Sequence, residues 1–497
     1  MPDLFVSREQ AEDDLLAAAA FIAERIRSSD GHAEAMAAVL PMYLERGDVD
    51  LAAELANALG DPHSRDRMLI RVAEKCAMVG DDEYAVQLAD AIEDHGLCSE
   101  AFERIGLAKA EQGNTSAALG IAEMMNHPDM VLSAVAVHQA ANGNEAAADE
   151  TLARIEFPSA VTSALQSIAD VQIENGKKEK AVIFLERAAD SAEDIEHDEE
   201  RIRMLCEIGN HFIEAGRSDL ALETFEKARS FAELIENVHK DKLLVMCSIG
   251  LLHAGNEELA DDTLDLVRDK TQLASALLAF ARDSWRREEK DEALDTLEEA
   301  LAILNSQKES ETRDSRTRNS IMAAIAAQFA VFENGERAAE VAQSNPDPRE
   351  NWSALSQIAQ ILTLQKRDEA ARDTIELIDD DSSRVSALIM MSDAKQRLGE
   401  SETAIELLDE AISWVETIPQ FVARSAAFME ISSRFAAQGL DDRIKPIGLT
   451  NLENIVEIKD ESSQASAVAN LAEVYSKAKL PIGEEEKHLV AKILAKF

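Results

Sequence analysis

Three histidines recur at equal spacing in the first third of the chain, and histidine is the commonest side chain for metal binding or proton transfer. His63, His95 and His127 are each 32 residues apart, in Asp-Pro-His-Ser, Glu-Asp-His-Gly and Asn-His-Pro-Asp. Ligands of one zinc ion lie about 2 Å from it, whereas successive packed helices are separated by about 10 Å. The spacing therefore indicates duplicated polar loops, and we predict no metal site.

The other residues that could do chemistry form no recognisable catalytic site. The sequence contains no G-x-x-x-x-G-K-S/T, no G-x-G-x-x-G after a strand, no H-E-x-x-H, no EF-hand loop and no G-x-S-x-G. Carboxylates are so frequent that any pair can be found, and a catalytic pair needs a dry, shaped pocket that the sequence does not reveal. We predict that the protein is not an enzyme and uses no cofactor.

The cysteines and the hydropathy pattern indicate a cytoplasmic location. Cys76, Cys98, Cys206 and Cys247 lie at least 22 residues apart and make no C-x-x-C pair. The start of the chain lacks the basic stretch and apolar run of a secretory signal. No segment approaches the roughly 18 consecutive apolar residues of a membrane span.

The elements that position these residues follow a repeat. An apolar stretch, a glycine beside polar residues, then alanine and a second amphipathic stretch recur at intervals of 30 to 47 residues, averaging about 36. The turn residues of this series are Gly47, Gly80, Gly113, Gly143, Gly176, Gly216, Gly255, Glu288, Gly335, Lys366, Gly399 and Gly439. Twelve turns predict about twelve helix pairs.

Each half of the repeat has the periodicity of a helix. Leu165, Ile168 and Ala169 before Gly176, and Val182 and Leu185 after it, fall three or four residues apart. Glycine at the turn suits the end of the first helix of a pair, because a left-handed backbone there brings no Cβ clash.

The repeat resembles the tetratricopeptide repeat. That family has apolar residues eleven and eight before the turn and a small one seven before it. After the turn it has alanine at five, a large apolar residue at nine and alanine at twelve. The Gly216 repeat fills these slots with Leu205, Ile208, Gly209, Ala221, Phe225 and Ala228. The Gly176 and Gly399 repeats match similarly, with Leu165, Ile168, Ala169, Ala181, Leu185 and Ala188, and with Leu388, Met391, Ser392, Ala404, Leu408 and Ala411.

The resemblance implies an all-α fold, a right-handed superhelical solenoid of about twelve antiparallel helix hairpins, in which no hairpin buries its apolar face alone. We expect an N-terminal capping helix in 1–30, repeats in 31–304 and 321–480, and a C-terminal capping helix in 481–497. Residues 305–320 have no apolar side chain and are expected to form a polar linker or a helix extension.

The net charge of the chain limits the classes of partner that it can bind. With 96 acidic and 50 basic residues, the net charge is −46, which repels nucleic acid and anionic lipid. We therefore expect no nucleic-acid and no membrane partner, whereas a basic or amphipathic protein or peptide fits. The acidity has a second interpretation, as a solubility feature of proteins in a salt-rich cytosol.

In the tetratricopeptide family the first helices line a concave groove that binds segments of partner proteins. Slots ten, six and three before each turn face inward there. In the Gly143 repeat they are Ser133, Val137 and Ala140, and Met130 one turn earlier is read with them. The middle repeats are the most apolar, and we predict a partner-binding groove at Asn210, Val245, Ile249, Leu252, Leu278, Arg282 and Trp285. The alternative is that these positions are packed between helices or covered by a loop of the protein itself.

The sequence thus predicts a non-catalytic scaffold that binds a peptide or helix of a partner in its concave groove. The alternative is a structural or assembly subunit that joins copies or subunits through its edges and ends. An enzyme or a sensor of a small ligand ranks third. The sequence does not indicate the oligomeric state or the identity of the partner.

Overall fold

The computed structural model describes residues 5–306 and 315–497, and this part of the chain contains 28 α-helices and no strand. The predicted all-α class is therefore confirmed for the described residues. The first ten helices are α1 (Arg8–Asp13), α2 (Leu15–Ala23), α3 (Ser29–Arg46), α4 (Val49–Asn57), α5 (Pro62–Val79), α6 (Asp82–Asp90), α7 (His95–Glu111), α8 (Thr115–Ala122), α9 (Asp129–Ala141) and α10 (Glu145–Leu152).

The next helices are α11 (Pro158–Glu174), α12 (Lys178–Glu193), α13 (Asp198–Glu214), α14 (Ser218–Leu234), α15 (Lys240–His253), α16 (Glu257–Leu264), α17 (Lys270–Arg286), α18 (Lys290–Asn305) and α19 (Ser315–Val331). The last are α20 (Gly335–Gln343), α21 (Pro348–Leu364), α22 (Asp368–Glu376), α23 (Asp381–Arg397), α24 (Ser401–Val415), α25 (Phe421–Ala437), α26 (Asp441–Val456), α27 (Glu461–Lys477) and α28 (Glu484–Leu494).

The turns between paired helices carry the expected left-handed residue. Nine of the predicted glycines have a positive φ, and so do Glu288 and Lys366, where the series lacks glycine. The prediction at Gly335 was wrong. There Glu333 takes the left-handed conformation, with φ of 63°, and the Asn334 side chain accepts a hydrogen bond from the backbone of Arg337. Gly335 is consequently the first residue of α20 instead of the turn residue.

Contacts divide the chain into two compact units, residues 1–105 with 355–497, and residues 106–354. In the second unit the first helices of successive pairs pack side by side, α9 on α11, α11 on α13, α13 on α15 and α15 on α17. Each also packs against the second helix of its own pair, as α11 does with α12 and α13 with α14. This is the stacking expected of a helical repeat; its handedness and number of hairpins stay predictions.

A single aromatic ring shows how the stack is packed. Phe225 of α14 is fully buried, and its ring lies against Gly209 of α13 and Gly250 of α15. A Cβ added at Gly209 would come within 2.5 Å of the ring, and one at Gly250 would overlap it more deeply. The pairing of Gly209 and Phe225 in the small and large slots is thus a close contact, and Gly250 extends it to the next pair.

In the first unit, helices from both ends of the sequence pack together. Eight of the nine residues of α2 are buried, and α2 contacts α27 and α28 as well as α1 and α3. At the edge of this contact, Ser462 Oγ donates a hydrogen bond of 2.8 Å to Glu34, and Lys487 Nζ lies 2.6 Å from Asp13 Oδ1. A helix that is apolar on every side is stable when it is enclosed by other helices, as α2 is here.

The five ranges predicted from the repeat pattern stay a prediction. The range 1–30 holds α1, α2 and the first two residues of α3, and the range 481–497 holds α28. Of the predicted linker 305–320, residues 307–314 lie outside the described residues, while Asn305 ends α18 and 315–320 begin α19.

Replacing Gly250 by alanine tests the packing of Phe225. Gly250→Ala should lower the free energy of unfolding by about 1–3 kcal/mol, because the enclosed ring has to shift. Gly120→Ala is the matched control: Gly120 is in α8 with open space around it, so alanine should stabilise the helix by up to about 1 kcal/mol. Urea denaturation followed by circular dichroism measures both, and equal shifts of the two variants would contradict the packing.

Replacing Leu16 tests the contact between the chain ends. Leu16 of α2 is fully buried, and Leu16→Ala should cost about 2–5 kcal/mol. Amide hydrogen exchange should then accelerate in α27, more than 400 residues away in sequence. Leu205→Ala removes an equally buried leucine of α13 and should accelerate exchange in α13 and α14 but not in α27. Unchanged exchange of α27 in Leu16→Ala would show that the ends do not pack.

Candidate functional site

The second unit has an open cavity of about 630 Å³ on the side formed by first helices. Residues of α7, α9, α11 and α13 line it, and those of α11 include Ser159 and Ala160 at the start of the helix. The lining consists mainly of small and apolar residues, namely Leu107, Ala110, Met130, Ser133, Ala134, Val137, Ala141, Ser159, Ala160, Ser163, Ala164, Ser167 and Met204, with Glu111, His138 and Glu200. We call this surface the groove cavity.

Small side chains create the groove cavity. Ser163 and Ser167 lie one turn apart on α11 and are exposed, and Ser133 and Ala134 face the same space from α9. Because serine and alanine fill little volume between neighbouring first helices, a depression remains where larger residues would close it. Met130 is 55% exposed at its edge, which is a high value for a large apolar side chain. An exposed methionine is a flexible contact residue that adapts to different partner shapes.

The ionisable groups of the groove cavity are two carboxylates and one histidine. Glu111 and Glu200 carry negative charge at opposite helices of the lining, α7 and α13. His138 of α9 is paired with the Asn142 side chain at 2.8 Å through Nε2. An apolar floor with carboxylates beside it is complementary to a segment that carries apolar and basic side chains.

The predicted anchor residues lie on α13, which also lines the groove cavity, and on the next two first helices, α15 and α17. Val245, Leu252 and Leu278 are buried, with 5–7% of their surface exposed, and belong to the packing between helices. Ile249 is half-buried. Asn210 is the most peripheral of the set, exposed on α13.

The two largest predicted anchors make contacts within the protein. The Trp285 ring stacks on Phe332 with centroids 4.4 Å apart and planes 11° apart, and the Lys290 ammonium lies 4.6 Å from the Trp285 ring centroid. Arg282 Nε donates a hydrogen bond of 2.6 Å to Gln328 Oε1. Trp285 and Arg282 thus connect α17 to α19 and its C-terminal end.

Sequence reasoning missed the groove cavity because it looked for large apolar residues in the inward slots. Large residues at such slots pack between helices, whereas open space needs small ones. The signal was present in the sequence: Met130, Ser133 and Val137 were recognised as inward-facing, and the next first helix contributes Ser163 and Ser167.

The residues considered for chemistry do not assemble into a reactive centre. His63, His95 and His127 are all exposed, and His63 Nε2 accepts a hydrogen bond from Arg67. The Cys206 and Cys247 sulfurs lie 3.7 Å apart in the interior. Hydrogen bonding to Cys247 and burial raise the pKa of the Cys206 thiol, which disfavours the reactive thiolate.

Comparison with known proteins identifies the repeat class. The family model for the tetratricopeptide repeat matches residues 162–195, which form most of α11, α12 and their turn. Together with the stacked helix pairs, this match shows that the chain is a tetratricopeptide-like helical-repeat protein. No curated protein matches the chain. Among the described residues, no helix combines the length and the apolar character that crossing a bilayer requires.

Several solved structures align with the chain at low identity. Ton1535 from Thermococcus onnurineus NA1 is 18% identical, with 71% of this chain and 97% of that chain covered and a TM-score of 0.26. A putative kinesin light chain of Podosopora anserina with TPR-like repeats is 17% identical over 52% and 97%, with a TM-score of 0.23. The apo form of RapI is 12% identical over 76% and 96%, with a TM-score of 0.30. None of these similarities identifies a partner or an activity.

Truncating Trp285 separates its structural contact from any role in binding. Trp285→Ala should lower the free energy of unfolding by up to about 3 kcal/mol, because Phe332 loses its stacking partner. Trp285→Phe keeps an aromatic ring and should lose less. Urea denaturation of the two variants measures the difference, and a wild-type midpoint for Trp285→Ala would contradict a structural contribution of the stack.

Proposed function

We propose that this protein is a non-catalytic scaffold that binds a peptide or amphipathic helix of a partner protein in the concave groove formed by its first helices. The groove cavity carries the proposal, since it is an open, mainly apolar depression formed by four successive first helices. A groove of this kind suits an amphipathic helix, whose apolar face enters it with anchors three and four residues apart.

Charge supports a basic or amphipathic segment as the ligand. The chain carries a net charge of −46, and Glu111 and Glu200 flank the apolar floor. Carboxylates at the rim attract a basic segment over a distance of about 10 Å at moderate salt and so raise its association rate. The same charge disfavours nucleic acid and anionic membranes.

The middle stretch with Asn210, Val245, Ile249, Leu252, Leu278, Arg282 and Trp285 is proposed as an adjoining part of the binding surface. Its exposed members are Asn210 and Arg282, while the buried ones shape the stretch without meeting a ligand directly. We therefore centre the proposal on the groove cavity, where exposed residues are available for contact.

The alternative of assembly through the ends meets a structural obstacle. Because α2 packs against α27 and α28 within one chain, the apolar surface of each end is already covered by the other end. Assembly by this route would require those helices to separate and exchange between copies. The packing of the ends thus favours the groove as the interaction surface.

Filling the groove cavity tests the proposed function. Ser163→Phe places a ring in the cavity and should weaken binding of a partner peptide by more than about tenfold, equivalent to about 1.4 kcal/mol. The peptide is the segment of the partner that remains protected from proteolysis in a complex purified from native cells. Ser116→Phe is the control, since Ser116 is an exposed serine of α8 outside the cavity. Titration calorimetry measures both variants after circular dichroism has verified their folding.

Two results would reject the groove. One is binding by Ser163→Phe with wild-type affinity, and the other is an equal loss of binding in Ser116→Phe. An association rate that does not fall as salt is raised would contradict the contribution of the acidic rim.

A further inference from the structure

A cluster of three side chains that can bind metal lies between two neighbouring first helices. Asp170 is on α11, and His211 and Glu214 are on α13. His211 Nδ1 lies 2.7 Å from Asp170 Oδ1 and 4.0 Å from Glu214 Oε2. One ligand atom from each residue lies within 4.8 Å of the other two. Ligands of one zinc ion lie about 2 Å from it and therefore at most about 4 Å from one another. The exposed Glu214 side chain would turn towards His211 for all three residues to reach one ion.

The imidazole nitrogen of His211 directly faces one of the two carboxylates. His211 Nδ1 is buried, and the Asp170 carboxylate oxygen lies 2.7 Å from it. A nitrogen–oxygen distance of this length is that of a charge-assisted hydrogen bond. A metal ion would bind here by displacing the proton between the two side chains.

Carboxylates crowd this position. Burial raises the pKa of Asp170, His211 opposes the shift, and Glu214 and Glu174 add to it through like-charge repulsion. Asp170 and Glu174 lie one turn apart on α11, as His211 and Glu214 do on α13. A divalent cation would neutralise the repulsion between the two helices.

We propose that Asp170, His211 and Glu214 bind a divalent transition-metal ion of the zinc class and thereby join α11 to α13. The imidazole nitrogen selects such ions over Mg²⁺ and Ca²⁺, which prefer oxygen ligands alone. Three protein ligands leave a fourth position for water. The site lies next to the groove cavity, since Ser167 is one turn before Asp170 on α11, so the ion would also fix two helices that line the cavity. The metal site does not depend on the proposed function.

Zinc titration of the full-length chain tests the site. After removal of metal by a chelator and dialysis, ZnCl₂ is titrated by calorimetry in buffer with excess MgCl₂, which occupies the many surface carboxylates. The wild type should bind one zinc ion per chain. His211→Gln and Asp170→Asn should each weaken zinc binding by more than about tenfold. CoCl₂ should produce visible absorption bands of a coordinated ion in the wild type and not in His211→Gln.

Matched controls separate this site from general binding to an acidic surface. His253→Gln removes an exposed histidine and Glu223→Gln an exposed carboxylate of α14, and both should bind zinc as the wild type does. Thermal unfolding without metal verifies that each variant folds. Should His211→Gln fail to fold, Glu214→Gln replaces it, since the Glu214 side chain is 64% exposed. Absence of stoichiometric zinc binding in MgCl₂, or equal affinity in site and control variants, would show that His211 and Asp170 form an ion pair only.

Discussion

The close contact between bulky residues of second helices and small residues of first helices is the constraint on which this structure depends. Phe225 illustrates it, because one ring is enclosed by Gly209 of its own pair and Gly250 of the next. Such a contact couples each pair to its neighbour, so that the apolar face of a pair is buried only when the next pair is in place. Stability is therefore distributed along the stack.

Small side chains on the first helices allow close packing, and they also leave open the surface that is available to partners. Where first helices carry large residues, as at Val245, Leu252 and Leu278, the space between neighbouring pairs is closed. Where serine and alanine predominate, as on α9 and α11, the space remains open and forms the groove cavity. The same positions of the repeat thus contribute either to packing or to recognition. A large residue closes the space between neighbouring first helices, and a small residue leaves it open for a partner.

Much of the fold could be predicted from the sequence because its signals are local. A left-handed turn residue and apolar spacings of three and four are visible in each repeat, and the slots of Gly209 and Phe225 were assigned correctly. Gly335 was misassigned because Asn334 caps the following helix, which moves the turn to Glu333. The packing of α2 on α27 was not predicted. A contact between segments far apart in the sequence does not change the spacing of apolar residues within either segment.

The candidate site was harder to predict than the fold. The exposure of a side chain at an inward-facing slot depends on which other segments pack against its helix. Trp285 is an example. Its slot faces inward by pattern, but Phe332 at the end of α19 covers one face of the ring. Likewise, Asp170 and His211 lie 41 residues apart in sequence, and only the packing of α11 on α13 brings them together.

A photo-crosslinking amino acid at Met130 tests most directly whether the groove cavity is the binding surface. Met78 of α5 is the matched control, because its side chain is 54% exposed against 55% for Met130 but lies outside the cavity. Our account predicts that a partner protein in native cells crosslinks to the chain carrying the probe at Met130, not at Met78, and that Ser163→Phe abolishes the crosslink. Equal crosslinking at both positions, or a crosslink at Met130 that survives Ser163→Phe, would contradict it.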